Sequence, residues 1–301
     1  MELTLGQEIE QLKNKPNATT RIVSDGMERH LHIPKKVLDH GFVRVVDYMG
    51  DDSAIVQAAR VSYGAGTKRA RGDAGLIRYL MRHRHTTPFE MCEVKFHIKL
   101  PIFVARQWIR HRTANVNEYS ARYSVLDREF YVPAPENLAA QSSSNRQGRG
   151  EVLDGREAFD VLEILKSDSL RAYGNYELML SSDGKRGLSR ELARINLPVS
   201  VYTQWYWKTD LHNLFHFILL RGEQHSQFEI RAYADVIATI LGDWVPIAWQ
   251  AFSDYRINGF ELSAKGVECV KRMIKGENVT QESSGMTRRE WTEFELAILN
   301  D

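Results

Sequence analysis

Glu93-Val94-Lys95-Phe96-His97-Ile98-Lys99-Leu100 alternates polar and apolar side chains and ends at Pro101. A period of two places Val94, Phe96, Ile98 and Leu100 on one face, the pattern of an antiparallel strand buried on one side and wet on the other. Pro101 suits the first turn of a helix, where a missing N–H costs nothing, and Ile102, Val104, Ala105, Trp108 and Ile109 supply the buried stripe to follow. Working outward, Phe42 to Tyr48 and the aromatic run Val201 to Trp207 have strand composition. Helical spacing marks Ser53 to Val61, Leu76 to Met81, Arg156 to Leu180, Arg190 to Leu197 stopped by Pro198, Leu211 to Arg221 with Asp210 as its cap, and Ser226 to Leu241. Strands and helices are mixed without regular βαβ alternation, which predicts an α+β fold rather than a doubly wound sheet. No GxGxxG, phosphate-binding loop or internal repeat is present.

The chain has 301 residues, enough for a full core in one large domain or two ordinary ones. Residues 1–40 mix charges, Asn and Pro with scattered apolar positions, and read as a poorly ordered N-terminal extension over a core that starts near Gly41. Residues 139–158 read as a surface loop or insertion. Beyond Glu261 the sequence turns polar, so the expected division is an extension at 1–40, a domain at 41–260 and a tail at 261–301 without a catalytic role. A net charge of +1 gives no global attraction to nucleic acid or membrane, so an anion site must be a local cluster. No apolar run is long enough to span a bilayer and no signal-peptide core opens the chain, which makes the cytoplasm the default location. Cys92 and Cys269 lie far apart without a CxxC, against a disulfide framework or a thiolate zinc site.

Arg110-His111-Arg112-Thr113-Ala114-Asn115-Val116-Asn117-Glu118-Tyr119-Ser120-Ala121-Arg122-Tyr123 holds three arginines, and no lysine occurs between Lys99 and Lys166. Arginine as the sole cation points to fixed-geometry anion recognition, because its planar fork bonds phosphate or carboxylate in a bidentate way. Three further places concentrate polar groups. His83 to Glu90 lies at a helix–strand junction, where scaffolds present functional groups, though cations at a helix C-terminus before a Pro turn explain it as well. Arg190 and Arg194 share a helix face, and structural pairing with carboxylates is the simpler reading for Arg190. His212 and His216 stand one turn apart near Arg221 and His225, but HExxH is absent and no third ligand is placed, so no metal is assigned. Ser120 and Cys92 are the candidate nucleophiles, neither in a nucleophile-elbow context.

The first of these stretches resembles the signature RHRxxSxNExSxRY of the flavin-dependent thymidylate synthases, departing from it at Asn115, where the pattern has serine. Further blocks fall in the family order: Ala59 to Tyr63, His85 to Glu90, Pro101 to Trp108, Glu191 to Arg194, and Leu220-Arg221. Met91 departs from a histidine often found after the Pro-Phe-Glu triplet. The resemblance runs from about Gly41 to about Phe260. It implies reductive methylation of dUMP to dTMP, with methylenetetrahydrofolate as carbon donor, FAD as hydride carrier and NADPH as reductant. It also implies a twisted antiparallel sheet flanked by helices and a homotetramer with active sites where subunits meet. Carried over by position, Ser62, Thr87, Arg110, His111, Arg112, Glu118, Asp210, Leu211, His212 and His216 match flavin contacts. Gln107, Arg110, Glu118, Tyr119, Ser120, Ala121, Arg122, Arg194 and Arg221 match nucleotide contacts. Of these, Arg122 and Arg194 would hold the phosphate, Arg221 would face the uracil and favour its ionised imide, and Ser120 would orient the ring. His85 would lie near flavin and nucleotide.

A rival of another class is an RNA-binding protein in which Arg106 to Arg128 tracks phosphates while Trp108, Tyr119 and Tyr123 stack on bases. The near-zero net charge and the lack of an RNP or KH signature weigh against it. A histidine-based metal hydrolase is a third reading, which exhaustive chelation would test.

Overall fold

The computed structural model describes residues 4–13, 20–61, 72–142, 148–180 and 187–298. The chain divides into two units, residues 1–250 and 251–301. The first is built on an antiparallel sheet of β1 (Lys35–Val37), β2 (Gly41–Met49), β3 (Glu93–Pro101), β4 (Asn115–Glu118) and β7 (Tyr202–Asp210), in the order β1-β2-β3-β7-β4. A separate hairpin pairs β5 (Ala139–Gln141) with β6 (Arg149–Val152). The fold is of the expected α+β class.

The central strand is β3, paired with β7 without interruption from Glu93 opposite Asp210 to Pro101 opposite Tyr202. Its alternation works as read: Val94, Phe96, Ile98 and Leu100 are buried, beside Trp205 and Trp207 of β7. Helices Ile102–Trp108, Leu211–Arg221 and Phe228–Trp244 add buried side chains to this core and come together at Trp108. Its ring lies 4.5 Å from Phe217, 5.2 Å from Trp207 and 5.8 Å from Tyr233, so three helices and β7 meet around one indole. Truncating such a side chain typically costs about 3–5 kcal/mol.

The other face of the sheet carries Arg44, His97, Tyr206 and Asn117 in one row across β2, β3, β7 and β4. Arg44 is fully buried, and its Nη2 meets His97 Nδ1 at 2.8 Å. The far nitrogen of the imidazole, Nε2, lies 2.9 Å from Gln204 Oε1. Because a guanidinium can only donate, His97 is neutral with its proton on Nε2. Burial, then the Arg44 charge, holds its pKa down at about 4.

Several elements depart from the sequence reading. The core begins well before Gly41: Met27 is fully buried, Ser24 Oγ donates to Trp244 O at 3.0 Å, and β1 pairs with β2. These pieces are too short to show a period, so their scattered apolar residues read as an extension. Within the 139–158 stretch, β5 pairs with β6, and the last residues already belong to the long helix Gly155–Leu180. The Arg190 helix ends at Ala193 and tightens into a 3-10 turn, Arg194–Asn196. β7 continues past Trp207 because Thr209, polar but buried, keeps the alternation to Asp210.

In the second unit, helices Ala264–Ile274, Gln281–Ser284 and Arg288–Ile298 enclose a small core of Cys269, Val279, Met286, Trp291 and Phe294. The stretch read as a polar tail from 261 therefore packs on its own, and the division falls at 250. Among the described residues no helix is long and apolar enough to cross a membrane.

Candidate active site

Strand β7 passes into the helix Leu211–Arg221 with no loop between. Asp210 caps it: Oδ1 accepts from Asn213 N at 2.9 Å and Oδ2 from Asn213 Nδ2 at 2.7 Å. Arg221 is carried at the last position of this helix, and His111 follows the C-terminal end of helix Ile102–Trp108. The two meet: Arg221 Nε donates to His111 Nε2 at 2.9 Å. A cavity of about 270 Å³ opens here, lined by Arg110, His111, Arg112, Asn213, His216 and Arg221 among others.

The charge state of this site follows from the contact. His111 Nε2 accepts, so the ring is neutral with its proton on Nδ1. Burial, then the Arg221 charge, then His216, pushes its pKa down to about 4. Arg221 is held below its ordinary value by burial and by Arg110, yet a guanidinium stays charged at neutral pH. Its partner is an imidazole rather than a carboxylate, so the positive charge is left undiminished. Arg110 and Arg112 are exposed beside it. The set can grip an anion and stabilise negative charge on a planar ligand.

Five of the site residues read from sequence thus share one cavity: Arg110, His111, Arg112, His216 and Arg221. A second group follows β4. Glu118 Oε1 accepts from Thr203 Oγ1 at 2.8 Å, Tyr119 N donates to Gln204 O at 2.8 Å, and Ser120 Oγ accepts from Arg122 N at 3.3 Å. This turn is tied to the helix preceding Arg194: Arg122 pairs with Glu191 at 3.4 Å, Arg190 Nη1 donates to Tyr123 O at 2.9 Å, and Ala121 packs in a cluster with Ala193. Arg122 and Arg194 therefore belong to one assembly of the chain. A third group, His85 and Thr87, lines a separate cleft of about 1120 Å³ with Arg21, Ile22, Tyr48 and Met91.

Some expected residues have other duties. Leu211 is a core side chain whose N–H donates to Cys92 O, so it offers no side chain to a ligand. Asp210 serves as the helix cap, and His212 is half-buried outside the cavity lining. Gln107 contacts Gln227. Ser62 lies outside the described residues. Cys92 is buried and its thiol is pushed up to about 12 by burial and the Asp51 and Asp52 charges, which removes it as a nucleophile. Among the described residues no His, Cys, Asp and Glu group could hold a metal ion. Trp108 is in the core, so the stacking expected of it in the RNA-binding reading is impossible. Residues not anticipated are Asn213, in the cavity, and Arg21 and Tyr48, in the larger cleft. Nothing local in the sequence marked them.

The donor set fits a flavin dinucleotide, since clustered guanidinium groups suit its diphosphate. A cavity of about 270 Å³ is below the size of pockets that enclose such a ligand and would take part of one.

Comparison with known proteins gives the class first. A family model described as thymidylate synthase complementing protein matches residues 44–247. A flavin-dependent thymidylate synthase from Ruegeria pomeroyi is 65% identical over 97% of this chain and 96% of its own length. One from Gluconobacter oxydans is 62% identical over 99% of both. The chain belongs to the flavin-dependent thymidylate synthase family and is an enzyme of that methyltransferase class. Among solved structures, the UMP/dUMP methylase PolB from Streptomyces cacaoi, bound with 5-Br dUMP, aligns with a TM-score of 0.66 at 33% identity, covering 74% of this chain and 98% of that one.

Proposed function

We propose that this enzyme converts dUMP to dTMP in the cytoplasm, with methylenetetrahydrofolate as carbon donor, FAD as hydride carrier and NADPH as reductant. The observation that carries the reading is the Arg221–His111 contact inside a cavity with Arg110 and Arg112, in a chain bearing the family signature. When bound, the flavin supplies hydride transfer at the nucleotide. The chain's own residues do the rest. Arg122 and Arg194, on the assembly joined through Glu191, grip the phosphate. Neutral His111 accepts from Arg221 Nε and so fixes the guanidinium, whose amino groups then serve the uracil. That cation stabilises the negative charge that builds on the ring, a preorganised effect typically worth about 3–4 kcal/mol of barrier. Ser120 orients the ring without forming a bond to it.

The site is shared between subunits of a homotetramer in this reading. Its support is that the cavity is too small for the whole cofactor and that His85 and Thr87 line a different cleft. The test is the visible spectrum of purified protein, recorded anaerobically with NADPH and again after dUMP is added. Flavin bands that bleach faster with dUMP are the expected result. A protein that takes up no FAD and does not respond to dUMP would overturn the reading.

A further inference from the structure

Glu229 is an acid buried to 3% exposure near the start of helix Phe228–Trp244. Four contacts fill its two oxygens. Oε1 accepts from Tyr131 OH at 2.9 Å and from Arg149 Nη2 at 2.6 Å; Oε2 accepts from the same Nη2 at 2.7 Å and from Gln227 Nε2 at 2.8 Å. Arg149, from the β5–β6 hairpin, is anchored in turn by donating Nη1 to Asn137 O at 2.9 Å. The buried charge is thus paired and fully hydrogen-bonded, the condition for keeping a carboxylate inside a protein.

The consequence lies one residue further along. A carboxylate only accepts, so Gln227 must turn its amino group to Glu229 and its carbonyl oxygen the other way. That oxygen meets the Gln107 side chain, which must present its own amino group to Gln227. Gln107 is therefore left with its carbonyl oxygen free to turn outward. The negative charge at one end of the relay sets the amide orientation at the other. Gln107 stands one turn before Arg110, whose N–H donates to Gln107 O.

We infer that Glu229 is a positioning residue which, through Gln227, makes Gln107 a hydrogen-bond acceptor for dUMP, so that position 107 receives a donor of the nucleotide and not its phosphate. The inference rests on the reading of Gln107 as a nucleotide contact. dUMP offers two donors, the uracil N3–H and the sugar 3′-hydroxyl. Because Arg221 is read as favouring the ionised imide, the 3′-hydroxyl is the donor that survives in the reactive form.

The test uses the flavin-loaded full chain and three ligands: dUMP, 2′,3′-dideoxy-UMP and N3-methyl-dUMP. Gln227→Ala cuts the relay while leaving the Glu229–Arg149 pair intact, and Gln227 makes no capping bond to its helix, so the fold is spared. Wild-type enzyme is expected to bind the dideoxy analogue roughly tenfold more weakly than dUMP, the effect of one lost hydrogen bond to a buried partner. In Gln227→Ala that penalty should vanish, with KM for dUMP raised and kcat little changed. Glu229→Gln should act in the same direction, since an amide there no longer forces the relay. A penalty that moves to the N3-methyl analogue, and is relieved by the same variants, identifies the imide as the donor and keeps the acceptor role. Equal analogue ratios in wild type and both variants would overturn the inference. Unchanged dUMP affinity in Gln107→Ala would instead overturn the assignment of Gln107 to the nucleotide site.

Discussion

His97→Gln tests the account of the buried Arg44–His97 pair. In the folded protein burial and Arg44 hold His97 neutral to about pH 4, whereas in the unfolded chain it titrates near 6.5. Its folded pKa is depressed, so between those values the unfolded state binds a proton that the folded state refuses. Stability from this source is complete above about pH 6.5 and is lost as pH falls toward 4. At about 1.4 kcal/mol per tenfold change in proton affinity, the full loss is roughly 3 kcal/mol. Against a usual total of about 5–15 kcal/mol that is easily measured. Glutamine can still accept from Arg44 and donate to Gln204, but it does not titrate. The assay is denaturant unfolding at half-unit steps from pH 7 to 4. His111 titrates in the same window and remains in the variant, so the readout is the difference between the two curves. The difference should amount to about one proton. Parallel curves would refute the claim that His97 is folded as a neutral, proton-refusing group.

Two other outcomes are expected. Arg221→Ala should retain flavin colour but lose methyl transfer by roughly 10²- to 10³-fold, read as turnover at saturating dUMP; near wild-type turnover would remove the cation from the chemistry. Gly26→Ala should lower stability by about 1–3 kcal/mol or prevent folding, because a Cβ there would lie 1.7 Å from the Asp243 carbonyl oxygen, a fixed backbone atom. A thermal midpoint equal to wild type would return residues 24–40 to the status of a dispensable extension.

What the sequence made legible is what local periodicity and local capping encode. β3 and the helix Leu211–Arg221 fall where alternation and the Asp210 cap place them. β4 was missed because Asn115-Val116-Asn117-Glu118 has one apolar residue, and the strand exists through its pairing to β7. Met27 was missed because one buried apolar side chain in a four-residue helix, beside a glycine, leaves no period. In the site, the signature marked Arg110, His111 and Arg112, and Arg221 was marked separately. That His111 and Arg221 touch, 110 positions apart, was not readable. The same holds for the relay from Gln107 to Glu229, whose Gln107–Gln227 link joins residues 120 positions apart. Leu211 was carried over as a flavin contact because its neighbours were, while the burial of its side chain is decided by the helix face it occupies.

The direct passage from β7 into the Leu211–Arg221 helix makes Arg221 a hand on a dial. No spacer separates Asp210 from Leu211, and the cap fixes where the helical count begins. From there the guanidinium lies at the far end of eleven residues, about 16 Å along the axis. Each residue added or removed within that count swings Arg221 by about 100° and carries it away from His111. Length is therefore frozen between positions 210 and 221, whereas each side chain may still vary in so far as packing permits.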